Sequence, residues 1–467
     1  MKSINEQVFD VVGHHGWIEK SDAIEPYLVD WRGNWRGECL GVALPDSVTQ
    51  ITKIVKICND TNTPITPIGG NTGLVGGAVP TGGILISTKR LNKIRQFDSK
   101  NQTISVDAGC ILTDIQLAAT DRDLLFPLSL GSEGSCQIGG NLSTNAGGVG
   151  VLKYGNMRDL TLGLEVVLAS GKLWNGMNSL RKNNSGYDLK QLFMGAEGTL
   201  GIITGAVLKL FPLPKIRETI LLGIPSLDVA LNILVNLRNI AGDSLSAFEI
   251  INSMAMELVI KNFDDMQNPF NEGYAYYALI ELSSIRVKDN LRSIFEDYFI
   301  HNLGKESGVS AVIAENIAQG KKLWQLRTTI PEAQVREGIS IKHDVSIPIS
   351  KIPNFINEAE RIVTSTIPGT RIVAFGHMGD GNIHYNLSCP INYPEDLFIK
   401  QWSRNKRIIY DLIMKLNGSF SAEHGIGKLK LSELNDYGNP VYIESMQAIK
   451  RTFDPKNIMN PGKVIPY

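Results

Sequence analysis

The sequence is short of the features that would assign it to several large classes. An excess of one charge is missing: 46 basic and 47 acidic residues leave a formal net charge of −1. No overall field therefore draws nucleic acid or an anionic membrane, and no nucleic-acid partner is expected. No run approaches the roughly 18 uninterrupted apolar residues that span a bilayer. The first residues, MKSINEQVFDVVGHHGW, lack the basic flank and apolar run of a secretory signal. The expected location is cytoplasmic, with peripheral membrane docking left open. Cysteine is sparse and unpatterned: Cys39, Cys58, Cys110, Cys136 and Cys389 form no C-x-x-C pair and no even framework. That suits reduced thiols acting as small buried hydrophobes. Internal repeats, coiled-coil heptads and a nicotinamide fingerprint are also missing.

At 467 residues the chain exceeds the roughly 250–300 at which single hydrophobic cores stop growing, so two or more domains are expected. VTQITKIVKICNDTN (48–62) has apolar residues at helical spacing and leads into TPITPIGG, a short strand ending on a glycine pair. GGILIST (82–88), QTISVDAG (102–109), LGLEVVLASG (162–171) and GIITGAVLKLF (201–211) read as strands bounded by glycine, with ILTDIQLAATDRD (111–123) a helix between them. Composition changes near PLPK (212–215). From 216 to about 300 the chain reads strand, helix, helix, strand, through ETILLGIP, LDVALNILVNLRNIA, INSMAMELVI and YAYYALIELSS. PNFINEAERIVTST (353–366) and QWSRNKRIIYDLIMKLNG (401–418) read as helices, and RIVAFG (371–376) as a strand. The expected class is α+β, divided at 1–215, 216–415 and 416–467.

Glycine is the residue type in surplus where chemistry is expected. PIGGNTGLVGG (67–77) holds five glycines in eleven residues after a strand. Such backbone can approach a ligand closely and converge N–H groups on phosphate oxygens. The loop matches neither the P-loop nor the Rossmann pattern, so by itself it is equally a structural loop. A second block, PLSLGSEGSCQIGGNLSTNAGG (127–148), interleaves glycine with Ser135, Asn141, Ser143, Thr144 and Asn145. Two such blocks suit an extended, polar, phosphate-bearing cofactor.

These blocks, with SLRKNNSGYDLKQLFMGAEGTLGIIT (179–204), resemble the PCMH-type FAD domain of the vanillyl-alcohol-oxidase-like flavoproteins. The resemblance covers nearly the whole chain. It implies an FAD domain of two subdomains, then a substrate domain with an antiparallel sheet and helices, and a C-terminal segment returning to the flavin. Flavin contacts are implied at Pro67, Gly69, Gly70, Asn71, Thr72, Gly73 and Leu74, and at Ser135, Gly139, Gly140, Asn141, Thr144, Asn145 and Gly147. Glu197, Gly201, Ile202 and Ile203 complete the set. Some members tether flavin through His or Cys; the first loop has no histidine, so non-covalent FAD is expected, with a link through Cys136 the minor alternative.

GHMGDGNIHYN (376–386) places His377 and His384 about a Gly-Asp-Gly turn in a chain with seven histidines. Seven residues apart on one unbroken strand, they would face opposite ways. A tight reversal returns the second imidazole beside the first. Imidazole is a common ligand of zinc-like ions, which take a further protein ligand, and SAEHGIGK (421–428) offers Glu423 beside His424. Hydrogen-bonded core histidines are the competing reading.

Both motifs together are similar to those of the D-2-hydroxyacid dehydrogenase branch, which oxidises acids such as D-lactate, D-2-hydroxyglutarate and glycolate. The resemblance implies one divalent metal, Zn or Mn, on His377, His384 and Glu423, and His424 as the base that accepts the hydroxyl proton. LWQLRTTIPEA and GISIKHDVSIP (within 323–348) are similar to the D-2-hydroxyglutarate subgroup, in which Arg327, Lys342 and Asn386 would bind the substrate with His424. Two cations suit a dicarboxylate. Pro331 stands where the subgroup often has threonine, which opens the reading to D-malate or D-lactate. An external acceptor, an electron-transfer flavoprotein or the quinone pool, would remove the electrons, and a homodimer is compatible with the sequence. A metal-dependent hydrolase and a non-catalytic flavin-binding subunit are the readings from other classes.

Overall fold

A computed structural model describes residues 2–19, 22–302 and 308–466 of the chain. Two units divide it. The first comprises Met1–Gly148, Tyr154–Leu213 and Glu423–Tyr467; the second comprises Val149–Lys153 and Pro214–Ala422.

The first unit carries two sheets. One has four strands, β1 (Trp17–Ile18), β2 (Gly41–Ala43), β3 (Ile65–Ile68) and β4 (Ile84–Ser87), in the order β1-β2-β4-β3. The three that hold Val42, Ile65 and Ile86 are parallel and nearly all buried, as expected of a sheet covered on both faces. Helix Val48–Asp60 covers it. Ser47 accepts from the Gln50 N–H at its start, and Ile51, Ile54, Val55 and Cys58 line one stripe that is fully buried. Full burial of each such side chain is worth roughly 1.5–3 kcal/mol.

The second sheet has five antiparallel strands, β5 (Ile94–Asp98), β6 (Thr103–Asp107), β8 (Thr161–Leu168), β9 (Leu173–Gly176) and β10 (Gly201–Lys209), in the order β5-β6-β10-β8-β9. A ribbon of β7 (Leu124–Leu125) and β11 (Phe211–Pro212) flanks it. The expected strands at 82–88, 102–109, 162–171 and 201–211 are all present, within two or three residues of the ends anticipated.

The second unit is built on one large antiparallel sheet. It comprises β12 (Ile216–Ile224), β13 (Leu245–Asn252), β14 (Tyr276–Ser284), β15 (Ser310–Ile313), β16 (Ser340–Ile341), β17 (Asp344–Ser346), β18 (Arg371–His377) and β19 (Asn382–Ser388). The order is β15-β12-β14-β13-β18-β19-β16, with β17 also paired to β19. Here the sequence reading missed an element. It placed no strand between the helix at 227–241 and the helix beginning near 251, whereas Leu245–Asn252 is the strand that joins β14 to β18. Its last residue, Asn252, also caps the following helix Ser253–Asn262, with its Oδ1 accepting from Ala255 and its Nδ2 donating to Ile372 O. Strand and helix abut without a turn, so the two periodicities overlap in INSMAMELVI.

Candidate active site

In the first unit, both glycine blocks border one cavity of about 440 Å³, within the roughly 300–1,000 Å³ usual for ligand sites. Gly69, Gly70 and Asn71 line it from the first block, and Gly134, Ser135 and Gln137 from the second. Asn71 sits at φ 54°, and its side-chain amide donates to Pro26 O (3.2 Å) and Val29 O (2.8 Å), which ties the segment between β1 and β2 to the loop. Tyr27 and Lys89, which sequence reasoning missed, also line the cavity; Lys89 supplies a cation beside the loop.

Several features fit a phosphate-bearing cofactor. A Cβ at Gly73, Gly134 or Gly140 would meet nothing within 4 Å, so the protein's own packing does not demand glycine there. Backbone left bare toward open space suits a ligand that approaches closely. At Gly70 the constraint is internal, since a Cβ would lie 2.2 Å from Ser135 O. The Oδ1 of Asn141, on helix Ile138–Ser143, is buried without a hydrogen-bond partner. Cys136 is 2% exposed and burial raises its thiol pKa, which leaves it a poor nucleophile for a covalent link.

Other expected flavin contacts have side chains engaged elsewhere. Thr144 Oγ1 donates to Gly140 O, and Asn145 Oδ1 accepts from Arg158 N at 2.9 Å. Ile202 and Ile203 pack into two hydrophobic cores on opposite faces of β10, and Gly201 lies in its pairing with β8. These positions offer a flavin backbone groups only. Pro67 lies within β3, facing Gly198, and Gly139 N–H is spent on Ala108 O. Thr72, Leu74 and Gly147 are half-buried loop residues.

Glu197 is engaged at more of its groups. Its backbone N–H donates to Ser143 O, and its carbonyl accepts from Asn460 Nδ2 at 2.8 Å. Its Oε1 takes the N–H groups of Ile426 (2.8 Å) and Gly427 (3.1 Å), just past the Glu423–His424 pair. Gly425 and Gly427 must be glycine: a Cβ at the first would lie 2.5 Å from Oε1, at the second 2.3 Å from Val75 O, and both have positive φ. Burial raises the Glu197 pKa against the pull of those N–H groups and of Lys430 and Lys463. Glu197 thus anchors the segment that follows His424.

In the second unit the β18–β19 hairpin answers the spacing of the histidines. Its register sets His377 opposite Asn382 and Phe375 opposite His384, so odd positions of β18 share a face with even positions of β19. His377 and His384 are diagonal neighbours on that face, with ring centroids 6.0 Å apart. Neighbouring strands add to it. Glu249 of β13 pairs with His377, and Asp344 of β17 pairs with His384. The β16 and β17 pairings keep one register against β19, with Lys342 in the two-residue stretch between them.

Glu249 and Asp344 are functional candidates that sequence reasoning did not find. Glu249 is 1% exposed; its Oε1 lies 2.5 Å from His377 Nδ1 and its Oε2 accepts Arg327 Nε–H at 2.7 Å. Burial alone would raise its pKa, but the adjacent His377 and Arg327 side chains prevail and hold it at about 2. Asp344 lies 3.8 Å from His384 Nδ1 and accepts from Asn382 Nδ2 at 2.9 Å. A carboxylate behind an imidazole is the usual orienting partner of metal-bound histidine, and at His377 the Glu249 contact on Nδ1 leaves Nε2 as the ligand atom. The only local signal for Glu249 was an acidic residue inside an apolar run.

Arg327, on helix Ile317–Thr328, is 7% exposed and lies 4.7 Å from the Phe375 ring centroid. Asn386 is buried, with Nδ2 donating to Gln334 Oε1 and Oδ1 accepting from His343 N. That leaves it one amide hydrogen for any substrate. Pro331 opens helix Ile330–Arg336 and is exposed. Asp380, in the turn, has its carboxyl pushed up to about 6 by burial, against the opposing pull of His377. Glu423 and His424 begin the last segment of the first unit, directly after Ala422, whose N–H donates to Asp344 O at 3.3 Å.

Comparison with known proteins agrees with this picture. Residues 39–176 match the family described as FAD binding domain, and 213–464 match FAD linked oxidases, C-terminal domain. The chain is 37% identical to a D-2-hydroxyglutarate dehydrogenase of Xanthomonas citri pv. viticola, covering 94% of this chain and 92% of that protein. It is 34% identical to the mitochondrial D-2-hydroxyglutarate dehydrogenase of Arabidopsis thaliana, covering 98% and 80%. Among solved structures, p-cresol methylhydroxylase superposes with a TM-score of 0.77 at 19% identity, over 99% of this chain and 96% of that one, which concerns the fold alone. No helix among the described residues is long and apolar enough to cross a membrane. The chain belongs to the FAD-linked oxidase family, and within it to the FAD-dependent D-2-hydroxyacid dehydrogenases.

Proposed function

We propose that this chain oxidises D-2-hydroxyglutarate to the 2-oxo acid, with non-covalent FAD and one divalent ion, Zn or Mn. His377, His384 and Glu423 would hold the ion. The observation that supports the reading is the sheet face shared by His377 and His384, with Glu249 against His377 Nδ1 and Arg327 on the same carboxylate. When bound, FAD supplies a two-electron acceptor, and the divalent ion supplies Lewis acidity toward the oxygens of the acid.

The chain's own residues bind, orient and deprotonate. His424 accepts the hydroxyl proton, a task suited to imidazole because it titrates near neutral pH. Arg327 pairs with a carboxylate through its Nη groups, which form no hydrogen bond with any described residue. Lys342 takes the distal carboxylate, and Asn386 donates its remaining amide hydrogen. A dicarboxylate fits this pair of cations better than lactate, because a desolvated distal carboxylate needs a charged partner. Pro331 supplies no hydroxyl, which favours D-malate or D-lactate as secondary substrates.

Regeneration of the flavin falls to an external acceptor, an electron-transfer flavoprotein or the quinone pool. The relatives' names include mitochondrial and bacterial proteins; for this chain we infer a cytoplasmic or membrane-peripheral location. The test is anaerobic mixing of purified yellow protein with a panel of D- and L-2-hydroxy acids, before and after chelation. Bleaching by D-2-hydroxyglutarate, absent with the L acid and lost on chelation, is expected. Colourless protein carrying stoichiometric metal would support a hydrolase instead.

A further inference from the structure

Glu249 holds neither the ion nor the acid in the proposal above, yet it is the most buried charged group on the face that carries it. β13 delivers it opposite His377, and helix Ile317–Thr328 delivers Arg327 from the other side. Each carboxylate oxygen then has one partner: His377 Nδ1 on Oε1 and Arg327 Nε on Oε2. Stability does not account for the arrangement. An ionised carboxylate at 1% exposure is costly to desolvate, and well-packed apolar residues in place of a buried ion network are often neutral or stabilising.

What the geometry does fix is the outward face of both partners. A carboxylate on Nδ1 holds the imidazole in the tautomer whose Nε2 is unprotonated, which is the form that coordinates a cation. A carboxylate on Nε holds the guanidinium plane in one orientation. The Phe375 ring, 4.7 Å from its central carbon, supports the same plane, and the Nη edge is left without a partner among the described residues. That edge is the one that receives a carboxylate in a forked pair.

We propose that Glu249 is a positioning residue that sets the His377 imidazole and the Arg327 guanidinium together, and so couples binding of the divalent ion to binding of the acid's carboxylate. The inference rests on the metal and substrate reading above and deepens it. Because coupling is reciprocal, ion and acid each strengthen the other's binding by the same factor.

The test uses full-length, FAD-loaded protein stripped of metal. Zn²⁺ or Mn²⁺ affinity is titrated calorimetrically with and without 2-oxoglutarate, and 2-oxoglutarate affinity with and without the ion, for wild type and Glu249→Gln. Wild type should show mutual strengthening. In the variant metal affinity should fall by roughly 10–100-fold, acid affinity should fall with it, and the mutual factor should shrink toward one. Flavin content and the metal-free melting curve serve as controls for folding. A second measurement needs no variant: nitrogen NMR of histidine-labelled wild type should show His377 protonated on Nδ1 and shifted at Nε2 when the ion is added. Equal metal and acid affinities in wild type and variant, or metal bound through His377 Nδ1, would overturn the inference and leave the metal reading intact. A wild type that binds no divalent ion would overturn that reading as well.

Discussion

Replacing Glu197 by alanine removes one acceptor from two backbone donors, Ile426 N–H at 2.8 Å and Gly427 N–H at 3.1 Å. Leaving a buried donor without its acceptor costs about 1–3 kcal/mol, so the gross loss for two is roughly 2–6 kcal/mol. Part returns because a desolvated carboxylate is no longer buried, but Lys430 and Lys463 lose their countercharge. A net cost of about 3 kcal/mol, confined to the segment that follows His424, is expected. At 1.36 kcal/mol per factor of ten, that is about a hundredfold loss of protection. Hydrogen exchange of peptides spanning 423–430 reads it directly, and flavin reduction by the acid should slow in parallel. Glu197→Gln keeps an acceptor oxygen in the same place and should recover at least half of the protection. Exchange at 426 and 427 unchanged within threefold in the alanine variant would refute the anchoring role. So would a glutamine variant no better than alanine.

Other consequences can be checked separately. Lys463 is 1% exposed, and its Nζ is buried without a hydrogen-bond partner; burial and the nearby charge of Lys428 lower its pKa to about 8. A cation with a depressed folded pKa binds protons more weakly than in the unfolded chain, so stability should rise from about pH 8 to about 10.5, by at most about 3 kcal/mol. Lys463→Met apoprotein should be more stable than wild type at pH 7 and should lose that advantage over the same window, which pH-resolved denaturation would reveal. Gly70→Ala should disturb the apoprotein itself through the Ser135 carbonyl, whereas Gly73→Ala should leave its melting unchanged and still weaken FAD binding in a fluorescence titration. Lys342→Ala should raise the KM for D-2-hydroxyglutarate at least tenfold more than that for D-lactate; equal effects would end its distal-carboxylate role. Pro331→Thr should move the kcat/KM ratio further toward the longer acid.

Much of the flavin region was legible because its signals are local. Glycine runs bounded by Ile- and Val-rich strands gave the elements to within a few residues, and the two blocks do border one cavity. The side-chain roles were less legible. Glu197, Thr144 and Asn145 sit inside recognisable glycine-rich stretches, but each side chain is already engaged: Glu197 by Ile426 and Gly427, Thr144 by Gly140 one turn back, and Asn145 by Arg158. The same limit hid β13, whose apolar run merges without a turn into the helix that follows.

By itself the sequence determined which residues could do chemistry: two imidazoles around a Gly-Asp-Gly reversal, a Glu-His pair in a glycine-flanked segment, and two cations before a strand. It also fixed the helical and extended periods that shape both units. Only the tertiary structure decided which of those groups face one another. Glu249 and His377 are 128 residues apart, and their meeting depends on the pairing of β13 with β18 and on a register that a shift of one residue would reverse. Local periodicity says which face of a strand is apolar, but not which strand will lie beside it.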